Sequence, residues 1–132
     1  MPSPVFELFP SWEAIIASIE GIARDFTNML RAGQFEAAGN LYWAADVTSA
    51  EPAGRATVSG IDAARTRCNA RFGAGKIDEI AIDGPFVTGD QFALFLDLVI
   101  VDAASGGREP FTEIALYTVR EGRIAEERHF FD

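Results

Sequence analysis

The chain has 132 residues, 48% of them hydrophobic, with eleven phenylalanines, which is enough apolar material for one core without staples and too little length for a second domain. Eleven basic against twenty acidic residues leave a net charge of -9, which repels a phosphate backbone and an anionic membrane surface, so neither nucleic acid nor a membrane is an expected partner. The single cysteine, Cys68, cannot close an internal disulfide, no apolar run reaches a bilayer-spanning length, and the N-terminus lacks a basic start followed by a long apolar stretch, so a cytoplasmic location is expected.

Residues 1–10 combine three prolines with Val5, Phe6 and Phe9 and read as an N-terminal arm without regular structure. Ser11 then resembles an N-cap. From Trp12 the apolar positions Ile15, Ile16, Ile19, Ile22, Ala23, Phe26, Met29 and Leu30 recur at three and four, predicting a long amphipathic helix that ends near Gly33. A second helix follows with Phe35, Ala38, Leu41 and Tyr42 as its stripe. Residues 46–51 read as a short strand, and a third helix is expected over 61–72, ended by Gly73 and Gly75. The rest turns to β at roughly 76–88, 90–102, 110–120 and 123–131. Gly84-Pro85 should bend the first of these strands, since proline cannot donate to the ladder.

Helices first and strands after indicate α+β, with three N-terminal helices covering one face of a curved, mostly antiparallel sheet. The strand from Phe92 to Val101 is apolar on both faces. One face should therefore meet the helices and the other a second copy, so a homodimer through the sheet is expected, with Ile114 and Leu116 extending the outer patch.

The closing segment, residues 113–132, alternates in polarity on either side of Arg120-Glu121-Gly122 and predicts a β-hairpin. Strand parity then places Glu113, Ala115 and Tyr117 on one face, with Glu127, His129 and Phe131 on the matching face of the next strand. The lone histidine stands beside two carboxylates and a phenol, a combination that is costly to bury without a purpose. The bland alternative puts both glutamates in solvent, and register decides, because a slip of one residue exchanges the faces.

Three segments carry a resemblance. They are Phe26-Thr-Asn-Met-Leu-Arg-Ala-Gly-Gln-Phe-Glu-Ala-Ala-Gly-Asn-Leu-Tyr42, then Asp46-Val-Thr-Ser-Ala-Glu-Pro52 with Gly60-Ile-Asp-Ala-Ala-Arg65, then the closing hairpin with Glu121-Gly-Arg-Ile-Ala-Glu-Glu-Arg128. In this order the set resembles the SnoaL-like branch of the nuclear-transport-factor-2-like superfamily, which includes ketosteroid isomerase and polyketide cyclases. The resemblance implies a cone-shaped α+β domain around a pocket, commonly dimeric. It also implies a carboxylate base at Glu51, before Pro52. The isomerase oxyanion donors correspond to Phe26 and Ala115, neither of which can donate to a developing enolate, so isomerisation by that route is not expected. The acid/base aspartate of the cyclases corresponds to His129.

The expected function is an apolar pocket for a small hydrophobic cyclic or aromatic compound, with cofactor-free acid/base isomerase, cyclase or dehydratase chemistry. Its alternative is a non-catalytic binding or accessory module. Glu51 or His129 would be the base, the histidine neutral near physiological pH, with Glu113 and Glu127 orienting or shuttling protons. Tyr42, Trp43, Phe72, Phe95, Tyr117 and Phe131 would wall the pocket, with the two tyrosines supplying orienting hydrogen bonds. Asp97, isolated in an apolar strand, would either line a wet pocket or pair with Arg71 or Arg128. One imidazole with acids on separate strands makes a poor zinc set, so no metal is expected. Cys68 reads as a small buried hydrophobe.

Overall fold

The computed structural model describes residues 18–72 and 75–132. Helix α1 (Ile19–Arg31) begins later than the apolar periodicity suggested. Ser18 sets its start: the Ser18 backbone is extended (φ -67°, ψ 154°) and its hydroxyl accepts from the Gly21 amide at 3.1 Å, filling one of the bonds a first turn leaves open. Ser11, Trp12 and the arm over residues 1–10 lie outside the described residues. Ile22, Ala23, Phe26, Thr27 and Leu30 form the buried stripe, and Thr27 removes the penalty of its own hydroxyl by donating to the Ala23 carbonyl at 2.6 Å.

After Gly33 in the left-handed region (φ 78°), α2 (Phe35–Tyr42) folds back and is tied to α1 by the Tyr42 hydroxyl, which donates to Asp25. Strand β1 (Trp43–Ala50) follows with no linker, three residues earlier than expected. A two-residue strand β2 (Val58–Ser59), which has no legible pattern of its own, leads into α3 (Ile61–Phe72). Four long strands complete the chain: β3 (Gly75–Thr88), β4 (Gln91–Asp102), β5 (Arg108–Arg120) and β6 (Arg123–Phe130).

The six strands form one open sheet in the order β2-β1-β6-β5-β4-β3, antiparallel throughout except for the parallel pair of β1 and β6. The bend expected at Gly84-Pro85 is present. The β3 to β4 register slips between Asp83 and Phe86, and Gly84 (φ 118°) approaches β4 so closely that a Cβ there would lie 2.9 Å from the Ala93 carbonyl oxygen. Arg31, at the end of α1, donates to the Ile82 and Gly84 carbonyls at 3.0 Å each and pins the helix to this bend.

Alternation along β4 decides which face the helices cover. Phe92, Leu94, Leu96 and Leu98 are buried against the helical layer, with Phe26 of α1 meeting Phe92 and Tyr117 at ring separations of 5.9 and 4.9 Å. Phe95 and Asp97 project from the opposite face and are exposed, so neither lines the interior; period-2 geometry excludes them once Leu94 and Leu96 face inward. Phe95, Ile114 and Phe130 are instead successive neighbours across β4, β5 and β6, an exposed apolar row on the outer face.

Candidate active site

The closing hairpin pairs Ala115 with His129 and Tyr117 with Glu127, so the inward positions of β5 and β6 carry Glu113, Tyr117, Glu127 and His129, all buried. Parallel pairing of β1 with β6 sets Ser49 opposite Glu127. Ser49, Glu127 and Tyr117 therefore stand in one row across three adjacent strands, with His129 in the next row beside the small Ala115.

Both ring nitrogens of His129 face carboxylates, Nδ1 at 3.0 Å from Glu113 Oε1 and Nε2 at 3.5 Å from Glu127 Oε1. Burial by itself would favour the neutral ring, but the hydrogen bonds and charges of Glu113 and Glu127 outweigh it and carry the pKa up to about 9. His129 is therefore an imidazolium at physiological pH, not the neutral base that its ordinary titration range suggested. Burial pushes Glu127 toward protonation, yet its hydrogen bond to His129, the imidazolium charge and the Trp43 indole N–H (donating to Oε2 at 3.2 Å) hold it below the usual carboxylate range. Tyr117 is raised well above the ordinary phenol value by burial and by the charges of Glu127 and Glu113, so it stays a protonated donor.

A chain of charges leads outward from the ring. Glu113 Oε2 accepts from Arg71 Nη1 at 3.1 Å; Arg71 Nη2 lies 3.1 Å from Glu51 Oε1; the same oxygen meets Arg67 Nε at 2.7 Å, and Glu51 Oε2 meets Arg55 at 3.1 Å. Glu51 thus reaches His129 only through Arg71 and Glu113, and its carboxylate is engaged by three guanidiniums. This engagement makes it a poor candidate for the base, because removing its charge would strand buried cations. Phe72 and Phe131 flank the Arg71 guanidinium at 5.6 and 4.9 Å from their ring centroids. Among these buried groups three carboxylates (Glu51, Glu113, Glu127) balance three cations (Arg67, Arg71, His129).

Above the row lies a cavity of about 40 Å³, between α1, α2, α3 and the inward face of the sheet. Phe26, Leu30, Phe35, Phe72 and Leu96 give it apolar walls, while Ser49, Glu113, Tyr117, Glu127 and His129 give it one polar side. Trp43, Phe72 and Tyr117 line it. Tyr42 does not, being held by Asp25, and Phe131 sits outside, against Arg55, Arg71 and Phe111. Cys68 lines the cavity half-buried, and burial, with Glu127 nearby, raises its thiol to about 11, leaving it protonated and a weak nucleophile. Arg67 and Ser49 were not singled out from the sequence, and Arg71 was named only as a partner for Asp97, although signals existed: Arg67 and Arg71 are i,i+4 on α3, and Val47, Ser49 and Glu51 keep the inward parity of β1.

Comparison with known proteins agrees with this architecture. The model of the SnoaL-like domain family matches residues 17–131. A Mesorhizobium loti protein assigned as a SnoaL-like polyketide cyclase, with carbohydrate phosphatase as a bracketed second name, is 34% identical over 86% of this chain and 99% of its own, with a TM-score of 0.78. A Jannaschia protein assigned as a SnoaL-like polyketide cyclase is 17% identical (82% and 83% covered, TM-score 0.70), and an LEH-like epoxide hydrolase of M. tuberculosis is 20% identical (81% and 77% covered, TM-score 0.61). These last two are similar in fold alone. Among curated proteins nothing matches the chain.

Proposed function

Because the chain belongs to the SnoaL-like domain family, whose fold serves unrelated chemistries, we propose from the site itself that it is a cofactor-free proton-transfer enzyme acting on a small apolar carbonyl compound. The observation that carries this reading is the buried imidazolium with a carboxylate on each ring nitrogen, set into the polar side of an otherwise apolar cavity. A purely structural ion cluster would gain nothing from adjoining a void.

His129 is the acid and Glu127 the base. Glu127 takes a proton from the carbon next to the substrate carbonyl as His129 Nε2 gives one to the carbonyl oxygen; the C–H electron pair becomes a C=C bond and the C=O π pair becomes the O–H bond. Glu127 is a weak base only while the imidazolium stabilises it. Once His129 gives up its proton, that stabilisation ends and burial raises the basicity of Glu127, so each transfer assists the other. Where the substrate carries a C=C bond beside that carbon the intermediate is a dienol, and the reverse transfers, with Glu127 delivering its proton to the far end of the diene while His129 regains the O–H proton and the C=O bond re-forms, complete an isomerisation and restore both residues. Glu113 orients the ring through Nδ1 and Arg71 holds Glu113; both are positioning residues.

The test is solvent exchange. In D2O the protein should accelerate deuterium uptake at the α-carbons of simple ketones, and His129→Gln and Glu127→Gln should each abolish the acceleration. An unchanged rate in either variant refutes the assignment. The small cavity volume favours one second reading, a ligand-binding or accessory module without turnover, which predicts binding without exchange. The exposed row of Phe95, Ile114 and Phe130 supports a homodimer through the sheet, which light scattering at micromolar concentration tests.

A further inference from the structure

Two hydroxyl-bearing residues line the cavity. Ser49 Oγ is buried with no partner in hydrogen-bonding geometry, and Tyr117, 3% exposed, lines the same space. Leaving a donor such as Ser49 Oγ empty is costly, and native proteins rarely do it without a reason. The placement of the two residues is coordinated, since register sets Ser49 and Tyr117 on either side of Glu127 in the same inward row, and both line the cavity. This supplies hydrogen-bond donors where Phe26 and Ala115 cannot.

We propose that Ser49 Oγ and Tyr117 Oη together bind the oxygen of a small neutral carbonyl compound, which makes them the residues that select the substrate class. The proposal rests on the proton-transfer reading above and names the group that this site recognises. Neutrality follows from the neighbours: Glu127 stands between the two hydroxyls and would repel a carboxylate, and the buried charges already balance. Size follows from the volume. About 40 Å³ is well below the roughly 150 Å³ that accommodates benzene, so the occupant is a fragment of a few non-hydrogen atoms, or the carbonyl end of a larger molecule.

The probe is acetone labelled with 13C at its carbonyl, followed by NMR with wild-type protein, Ser49→Ala and Tyr117→Phe, with acetate as the charged comparison. On binding, the carbonyl resonance should move downfield, as hydrogen bonding polarises it. Each variant should weaken acetone binding by about fivefold, the worth of one net hydrogen bond, and acetate should bind more weakly than acetone. Ser49→Ala should also melt higher than wild type without ligand, because it removes an unsatisfied buried donor, and circular dichroism shows that both variants are folded. Equal acetone affinity and shift in all three proteins, tighter binding of acetate, or no bound resonance at about 1 M acetone would each overturn the proposal. Its failure is separable from that of the proton-transfer reading: acetone bound through the two hydroxyls without deuterium exchange sinks the chemistry and keeps the subsite, whereas exchange at wild-type rate in both variants sinks the subsite and keeps the chemistry.

Discussion

Raising the pH should destabilise this protein through one side chain. His129 has a pKa of about 9 in the folded chain against an ordinary value of 6.5. Its raised folded value means that proton binding favours the fold, with the full contribution present below pH 6.5 and lost as pH climbs through 9. The gap is worth about 3 kcal/mol at 1.36 kcal/mol per pH unit, and raising the pH from 5.5 to 8.5 removes most of it. Glu127 acts in the opposite sense, its lowered pKa giving stability that is present above 4.5 and lost only in more acidic solution, outside this window. Urea unfolding followed by circular dichroism at half-unit pH steps reads the effect directly; with m near 1–3 kcal/mol/M the midpoint should fall by roughly 1–2 M. His129→Gln carries the same Cys68 and the same carboxylates, so its profile should be nearly flat over this range, and the difference between the two curves isolates the ring. The chain has one histidine, so its Hε1 resonance is an unambiguous second measure. Parallel stability profiles for the two proteins, or an Hε1 midpoint at or below 6.5, would refute the reasoning from the Glu113–His129–Glu127 geometry.

Glu127→Gln removes one of the two charges that raise the ring, so the His129 midpoint should drop from about 9 while Glu113 still keeps it hydrogen-bonded; the same NMR titration checks this. Arg71→Leu leaves Glu113, whose side chain is 2% exposed, with His129 as its one cationic partner among the described residues and the buried network one positive charge short, and should cost about 3–5 kcal/mol in urea unfolding at pH 7. Gly39→Ala would ordinarily help a helix by about 1 kcal/mol, but here the new Cβ would sit 2.3 Å from the Trp43 ring. The variant should therefore lose about 1–3 kcal/mol from overpacking and shift the tryptophan fluorescence, as the indole moves away from Glu127.

Much of the architecture is written in local pattern. The 3.6-residue spacing of α2 and the period-2 alternation of the closing hairpin predict those elements closely, because each has one face against a core and periodicity encodes a face; α3 is delimited instead by the glycines that follow it. The same parity places Glu113, Tyr117, Glu127 and His129 together, since neighbouring strands joined by a tight turn have little freedom of register. Where the pattern misleads, a local interaction of another kind intervenes. The Ser18 hydroxyl starts α1 seven residues after Ser11 because a cap bond outweighs continued apolar spacing. Phe95 and Asp97 could be assigned to a face only once Leu94 and Leu96 were known to meet α1.

The tertiary structure alone decides the chemistry of the site. Ser49 meets Glu127 through a parallel pairing between strands more than seventy residues apart in sequence, and no window of sequence carries that information. The protonation state of His129 likewise depends on distances of 3.0 and 3.5 Å to two carboxylates. An imidazole's intrinsic pKa lies close enough to neutrality that such contacts, not residue type, determine whether it enters the reaction as acid or base.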